Sequence, residues 1–189
     1  MKLVILDRDG VINHESDHFI KTPIEWKPIP DSITAIARLN RAGFRVVVAT
    51  NQSGIARGLF DISMLGRIHE KMHRHVSDAG GNIEAIFFCP HEPGDECDCR
   101  KPKPGLFNDI AERLHINLKG VPAIGDSLRD IQAAAAAGAT PVLVLTGRGE
   151  QTLKNPEDIK GIPVYADLSA AADAIIDGSI NDALATEIP

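Results

Sequence analysis

The sequence predicts an α/β protein built on a doubly wound, mostly parallel sheet. Three observations carry this. Short apolar runs rich in β-branched residues alternate with segments of helical period, Gly or Pro marks most of the boundaries, and several of the runs end in polar or acidic residues. The clearest run is Leu3-Val4-Ile5-Leu6, followed at once by Asp7-Arg8-Asp9-Gly10. Its four apolar residues suit a buried strand, and Gly10 lets the backbone turn away. Asp7 and Asp9 then lie at the strand's C-terminal edge, where open α/β sheets bind ligands. Two carboxylates this close repel, which points to a bound cation, a shared proton or both. The plainer alternative is a polar turn, since Asp-Gly is a common turn dipeptide.

The remaining elements follow in order. Pro23, Pro28 and Pro30 keep the next stretch out of helix. Asp31 is then the expected cap of a helix to about Arg41, with Gly43 beyond its end. Phe44 to Thr50 reads as a second buried strand running into Asn51-Gln52-Ser53-Gly54. Asp61 caps a long helix to about Ala79, and Ile83 to Cys89 is a third strand. Pro104 suits the first turn of a helix to about His115. Val121 to Asp126 is a fourth strand with another acidic end, Leu128 to Ala137 a helix, and Pro141 to Leu145 a fifth strand. Beyond Gly149 the pattern weakens to a short strand at 162–165 and a helix over 168–176. The histidines His69, His73, His75 and His115 fall in or beside helices and are expected to face solvent.

A chain of 189 residues with 43% hydrophobic content makes a single domain over 1–189, with no insertion long enough for a separate cap. Its net charge of −6 argues against a nucleic-acid or anionic-membrane binder. No apolar run approaches the ~20 residues that span a bilayer, and no signal-peptide pattern precedes the first strand. The expected location is the cytoplasm and the expected state a monomer. Three cysteines between positions 89 and 99 form no disulfide framework and point to metal. Cys89-x-His91-x5-Cys97-x-Cys99 offers the four donors of a closed tetrahedral zinc site, which would staple a loop rich in Pro and Gly. Free thiols beside an unrelated histidine are the alternative.

The strand ends carry complementary chemistry: Asp7 and Asp9, then Thr50 with Asn51, Gln52 and Ser53, then Asp126. A basic cluster, Arg100, Lys101 and Lys103, precedes the helix at Pro104. Carboxylates suit Mg²⁺, and cationic and neutral donors offset charge on a transferring phosphoryl group. The polar loop Glu15, Ser16, Asp17 and His18 offers further substrate contacts, or is a solvated loop.

Leu-Asp7-Arg-Asp9-Gly10, Thr50 after its strand, Lys101-Pro-Lys103-Pro-Gly105 and Gly125-Asp126-Ser-Leu-Arg-Asp130 together resemble the four motifs of the haloacid dehalogenase (HAD) superfamily of phosphatases. The resemblance covers Leu3 to about Thr146 and implies a Rossmann-like, HAD-like fold. Thr50-Asn-Gln-Ser-Gly-Ile-Ala-Arg-Gly58 with Cys-Asp-Cys99-Arg-Lys-Pro102 is similar, more narrowly, to the D,D-heptose 1,7-bisphosphate phosphatases, with histidinol-phosphate phosphatases as near relatives. It implies that Asp7 is the nucleophile and a Mg²⁺ ligand. Asp9 would be the general acid and base, with its backbone carbonyl on Mg²⁺, and Asp126 would complete that site. Thr50 and Lys101 would hold the phosphoryl oxygens and Arg100 would recognise the substrate. Lys103 competes with Lys101 for its role, Arg57 is either a loop cation or a substrate contact, and Asp130 supports the site rather than ligating. The family carries zinc at the matching Cys and His positions, some members with a longer loop before the second cysteine. The shorter loop here flanks the sugar site and bears on selectivity.

The activity expected is removal of the 7-phosphate from a heptose bisphosphate, in the synthesis of nucleotide-activated heptose. Competing readings are the same chemistry on histidinol phosphate, a catalytically silent sugar-phosphate-binding module, and a zinc-dependent nucleic-acid module.

Overall fold

The computed structural model describes residues 2–180; Met1 and 181–189 of the expected single domain lie outside them. Six strands, β1 (Lys2–Leu6), β2 (Phe44–Asn51), β3 (Ala85–Cys89), β4 (Pro122–Gly125), β5 (Thr140–Val144) and β6 (Val164–Tyr165), form one sheet in the order β3-β2-β1-β4-β5-β6. Each neighbouring pair is parallel, so the sheet is wholly rather than mostly parallel among the described residues. The helices are α1 (Pro30–Arg41), α2 (Ile62–Asp78), α3 (Gly105–Leu114), α4 (Leu128–Ala136), α5 (Gly149–Leu153) and α6 (Leu168–Asp177).

The period-2 alternation of strands assigns two separate cores. Val4, Leu6, Val46, Val48 and Val142 pack with Ile33, Ile36, Ile68, Met72 and Ile175 from α1, α2 and α6. Leu3, Ile5, Val47, Ala49 and Ala123 pack with Leu106, Phe107 and Ile110 of α3 and Ala133 and Ala134 of α4. Helices thus cover both faces, which is why the strands read as continuous apolar runs.

The chain direction reverses its march between β1 and β4. This switch point opens a crevice outside the carboxyl ends of the strands. The residues that follow β1, β2 and β4 therefore converge there.

Several local expectations are corrected. Helix α1 has Ile29 as its N-cap with no side-chain cap, because Pro30 takes the first turn, where its missing N–H costs nothing. Asp31 sits in that turn, favourably placed for the helix dipole. Strand β3 begins at Ala85 rather than Ile83, and Pro104 is the N-cap of α3 rather than within it. After β5 the chain forms α5 and a 3-10 turn at Pro156–Ile159, elements too short for a hydrophobic period to reveal. His69 does not face solvent: it contacts buried Arg8 and the edge of Phe88, and His75 packs on buried Trp26. Among the described residues no helix is long and apolar enough to cross a membrane.

Candidate active site

Leu3 and Ile5 point toward α3 and α4, and Asp7 is the next residue in that alternation. Its N–H extends the ladder by one bond, donating to Ile124 O of β4 at 2.9 Å. Asp7 thereby meets Lys101 and Asp130, which approach from the same face. Lys101 is buried and its ammonium has three neighbours: Asp7 Oδ1 at 2.9 Å, Asp130 Oδ1 at 2.5 Å and the Ala49 carbonyl at 2.7 Å. The two carboxylates pair with its charge and the carbonyl accepts a hydrogen bond. Asn51 clamps the lysine's backbone, accepting from Lys101 N and donating to Lys101 O, both at 3.1 Å. Lys103 is exposed and reaches only Cys97 O and Asp98, so it does not share the position.

Asp126 follows β4 and accepts from Arg148 N at 2.8 Å. Asp130 closes a capping box with Ser127, accepting from Ser127 N at 3.1 Å and Oγ at 2.5 Å. The carboxylate oxygens of Asp7, Asp126 and Asp130 lie within 4.8 Å of one another. Burial and repulsion make this costly. Burial pushes Asp7 up to about 7 against the pull of Lys101, while Asp130 and Asp9 add to the rise. Burial, then Asp130 and Asp7, push Asp126 up to about 8. For Asp130 burial is outweighed by Lys101, which holds it below the usual range. Lys101 is held above its usual range, because Asp130 and Asp7 outweigh its desolvation.

A divalent cation reverses that repulsion, and the donor set fits Mg²⁺: all oxygen and carboxylate-rich. Asp7 Oδ1 is buried and, although it is ion-paired with Lys101, makes no aligned hydrogen bond, which leaves it available as a ligand. The Asp9 carboxylate does not belong to this group. It is turned to Arg8, whose Nη2 lies 2.9 and 3.0 Å from its two oxygens, and to Asn13 Nδ2 and Gln52 Nε2, both at 2.9 Å. Burial raises its pKa, yet Arg8 and these donors outweigh that and hold it below the ordinary range. Thr50, at the end of β2, is buried and accepts from Gln52 Nε2 at 3.0 Å.

Above Asp9 opens a cavity of about 280 Å³. Of the expected contacts, Glu15, Ser16, Asp17, Asn51, Gln52, Ser53 and Arg100 line it, whereas Thr50 and Lys101 are buried and do not. His18 is exposed and is not among the lining residues; its backbone joins the loop's own bonds to Ser16 and Lys21. Arg57 lines the cavity as well, over the Phe19 ring and 3.6 Å from Glu92. Arg129 and Arg148 were missed by the sequence reading and complete an arginine-rich wall. Arg148 also ties down the 15–17 loop, with Nη2 3.1 Å from Asp17 and 3.5 Å from Glu15. Arg8 and Asn13 were missed too. Their signal was position: Arg8 lies between the two acidic residues and Asn13 four residues after the second, and Arg148 follows a strand end.

The second donor cluster is formed at the exit of β3. Cys89 Sγ lies 3.2 Å from Cys99 Sγ and 3.8 Å from Cys97 Sγ, and His91 Nδ1 lies 3.3 and 3.5 Å from Cys99 and Cys89. Zinc bonds of ~2.3 Å to sulfur and ~2.0 Å to nitrogen give tetrahedron edges of roughly 3.5–3.8 Å, so the set fits zinc with little adjustment. A disulfide would require sulfurs at ~2.05 Å, and the cysteines are free. Burial pushes the Cys89 thiol up to about 12, a cost that a bound cation removes by holding the thiolate. The cluster is tied to the basic end of its loop: Arg100 donates to His91 O at 3.0 Å, and Lys101 follows directly.

Comparison with known proteins agrees with this geometry. A family model described as Polynucleotide kinase 3 phosphatase matches residues 2–133, and one described as HAD-hydrolase-like matches 98–171. The chain is 56% identical over 176 residues to the D-glycero-β-D-manno-heptose-1,7-bisphosphate 7-phosphatase of Bordetella bronchiseptica, covering 93% of this chain and 98% of that one. It is 40% identical to the enzyme of that name from Escherichia coli, covering 77% and 80%. A crystal structure of the B. bronchiseptica D,D-heptose 1,7-bisphosphate phosphatase complexed with magnesium and phosphate superposes with a TM-score of 0.92, covering 94% of this chain and 99% of that one. With two acidic strand ends around a buried lysine, and relatives this similar over nearly their whole length, the chain belongs to the D,D-heptose 1,7-bisphosphate phosphatase family of HAD-like hydrolases.

Proposed function

We propose that this chain is a Mg²⁺-dependent phosphatase that removes the 7-phosphate of D-glycero-β-D-manno-heptose 1,7-bisphosphate. The observation that carries the reading is a carboxylate, Asp7, in contact with Lys101 and two residues before Asp9, which lines a cavity walled by Arg57, Arg100, Arg129 and Arg148. One phosphate needs the Asp7 end, and the arginines supply charge for a second phosphate held away from it. Asp7, Asp126 and the Asp9 backbone carbonyl would hold Mg²⁺, which would supply charge stabilisation for the phosphoryl oxygens.

Asp7 attacks phosphorus and forms an aspartyl phosphate while the bond to the sugar oxygen breaks. Asp9 donates its proton to that oxygen; its low pKa here rises as the anionic phosphoryl group arrives, which loads the proton. Asp9 then takes a proton from water, the resulting hydroxide attacks phosphorus, and phosphate leaves with Asp7 restored. Lys101 and Thr50 bind the phosphoryl oxygens, Lys101 exchanging one of its present contacts for the substrate. Asp130 holds Lys101 in place. Cys89, His91, Cys97 and Cys99 would hold zinc, which would do no chemistry and would order the loop that presents Arg100. Glu15, Ser16, Asp17, Asn51, Gln52 and Ser53 serve the sugar hydroxyls.

The enzyme acts as a cytoplasmic monomer of one domain, binds neither nucleic acid nor membrane, and serves nucleotide-activated heptose synthesis for surface polysaccharide. The test is a rate panel with Arg100→Ala. The variant should lose ten- to hundredfold in kcat/KM on the bisphosphate, the worth of one charge-assisted contact of about 1.5–3 kcal/mol, and far less on an aryl phosphate. Equal losses, or a wild-type preference for histidinol phosphate, would reject the heptose assignment.

A further inference from the structure

Arg8 is fully buried, an unusual place for a cation. Its Nε and Nη2 are committed to Asp9, at 3.3 Å and at 2.9 and 3.0 Å. That leaves Nη1, and the contact it makes is to His69 Nε2 at 3.3 Å, sixty-one residues away on α2. Since Arg can only donate, the imidazole must present a lone pair at Nε2 and carry its proton on Nδ1. The ring is itself fixed, edge-on to Phe88 of β3 at 6.4 Å between centroids. A guanidinium is a rigid plane, so anchoring Nη1 sets the angle at which Nη2 and Nε meet the carboxylate.

We infer that His69 is a positioning residue for the reaction: through Arg8 it fixes the Asp9 carboxylate in the orientation that moves the proton to the leaving sugar oxygen. His69 touches no reacting atom. Without it Nη1 lacks its acceptor in a dry site, and the plane turns to find another. Asp9 turns with it against the bonds from Asn13 and Gln52, while Asp7, Lys101 and the rest of the cavity wall stay in place. The loss therefore falls on proton transfer and not on substrate binding. This inference rests on Asp9 being the general acid.

The experiment compares His69→Leu, which keeps bulk and removes the acceptor, with His69→Gln, whose amide oxygen restores one. Each is assayed by rapid quench in the first turnover on the heptose bisphosphate and on an aryl phosphate, whose phenolate leaves without a proton. Active-site titration and the ratio of the two rates remove any dependence on the fraction folded. His69→Leu should slow first-turnover cleavage of the sugar phosphate about ten- to hundredfold, within the range that general acid catalysis supplies and misplacement costs, with KM unchanged. Phenolate release should stay near wild type, and His69→Gln should recover most of the sugar rate. Equal slowing of both substrates, unchanged rates on both, or a raised KM as the whole effect overturns the inference. Asp9→Asn is the reference. If it too leaves the sugar-to-aryl ratio unchanged, the assignment of Asp9 fails; if it collapses the ratio while His69→Leu does not, only the role of His69 fails.

Discussion

Gly147 gives the sharpest test of how the carboxylates proposed to hold Mg²⁺ are positioned. The turn after β5 passes so close to Asp126 that a Cβ at Gly147 would stand 2.1 Å from Asp126 Oδ2 and 2.5 Å from the Gly10 Cα. Its φ of +58° adds a backbone cost for any other residue, about 1–2 kcal/mol. Overpacking a tight site typically adds about 1–3 kcal/mol. Gly147→Ala should therefore lose about 2–5 kcal/mol of stability, a large part of an ordinary domain's total. The alternative to unfolding is displacement of Asp126. Real Cβ contacts stop near 3.0 Å, so an approach of 2.1 Å asks for a shift of 0.9 Å. A misplacement of that size in a reacting constellation costs on the order of a hundredfold in rate. Calorimetric Mg²⁺ titration and kcat against Mg²⁺ concentration read the effect: Gly147→Ala should weaken Mg²⁺ binding and lower kcat even at saturation. Gly138→Ala is the control, with φ of +79° and nothing within 4 Å of the added methyl. It should cost the backbone term alone and leave Mg²⁺ binding and kcat unchanged. Wild-type Mg²⁺ affinity and kcat in folded Gly147→Ala would refute the close-approach argument.

Other outcomes follow from the same structure. Asp7→Asn should abolish turnover of every phosphate ester while the protein remains folded, since the change relieves repulsion from Asp126 and Asp130; residual sugar-phosphatase activity in purified variant removes Asp7 as nucleophile. The protein as isolated should hold about one zinc per chain by metal analysis, and Cys97→Ser should lose both the zinc and the placement of Arg100 and Lys101, lowering kcat/KM. His69 is pushed down to about 3 by burial, then Arg8 and His73, so it stays neutral when folded. A group whose folded pKa lies below its unfolded value of 6.5 supports stability above pH 6.5 and withdraws that support as pH falls toward 3. Denaturant unfolding should show a slope of about 1.4 kcal/mol per pH unit in this window that His69→Gln removes. An identical pH slope in the variant contradicts that account.

Most of the architecture was legible because buried parallel strands and amphipathic helices write themselves locally. Leu3 to Leu6, Phe44 to Thr50 and Pro141 to Leu145 are apolar on both faces, and the residues after them are polar because they stand at the sheet's exposed edge. The same local signals pointed to Asp7, Asp9, Asp126 and the Cys89-to-Cys99 cluster, which lie at strand ends or within one short loop. The misses were equally physical. Asp31 looked like a cap because cap propensity competes with the preference of Pro30 for the first turn, and the window alone does not rank the two. The histidines of α2 looked solvent-facing because helical period reports an apolar stripe and not what a neighbouring loop lays against the stripe's border.

What the sequence by itself determined was the set of elements, the acidic strand ends, the grouping of three cysteines with a histidine and the family, all of which depend on residues near one another in the chain. Tertiary structure alone decided which lysine meets the carboxylates, since Lys101 and Lys103 differ by two positions in one loop and only the packing of that loop on Asn51 separates them. It alone placed His69 behind Arg8, 61 residues apart, and Arg148 beside Asp17, 131 residues apart. The reason is the strand order: setting β4 beside β1 creates the crevice, and contacts across such a switch point depend on crossovers whose lengths and neighbours no local period records.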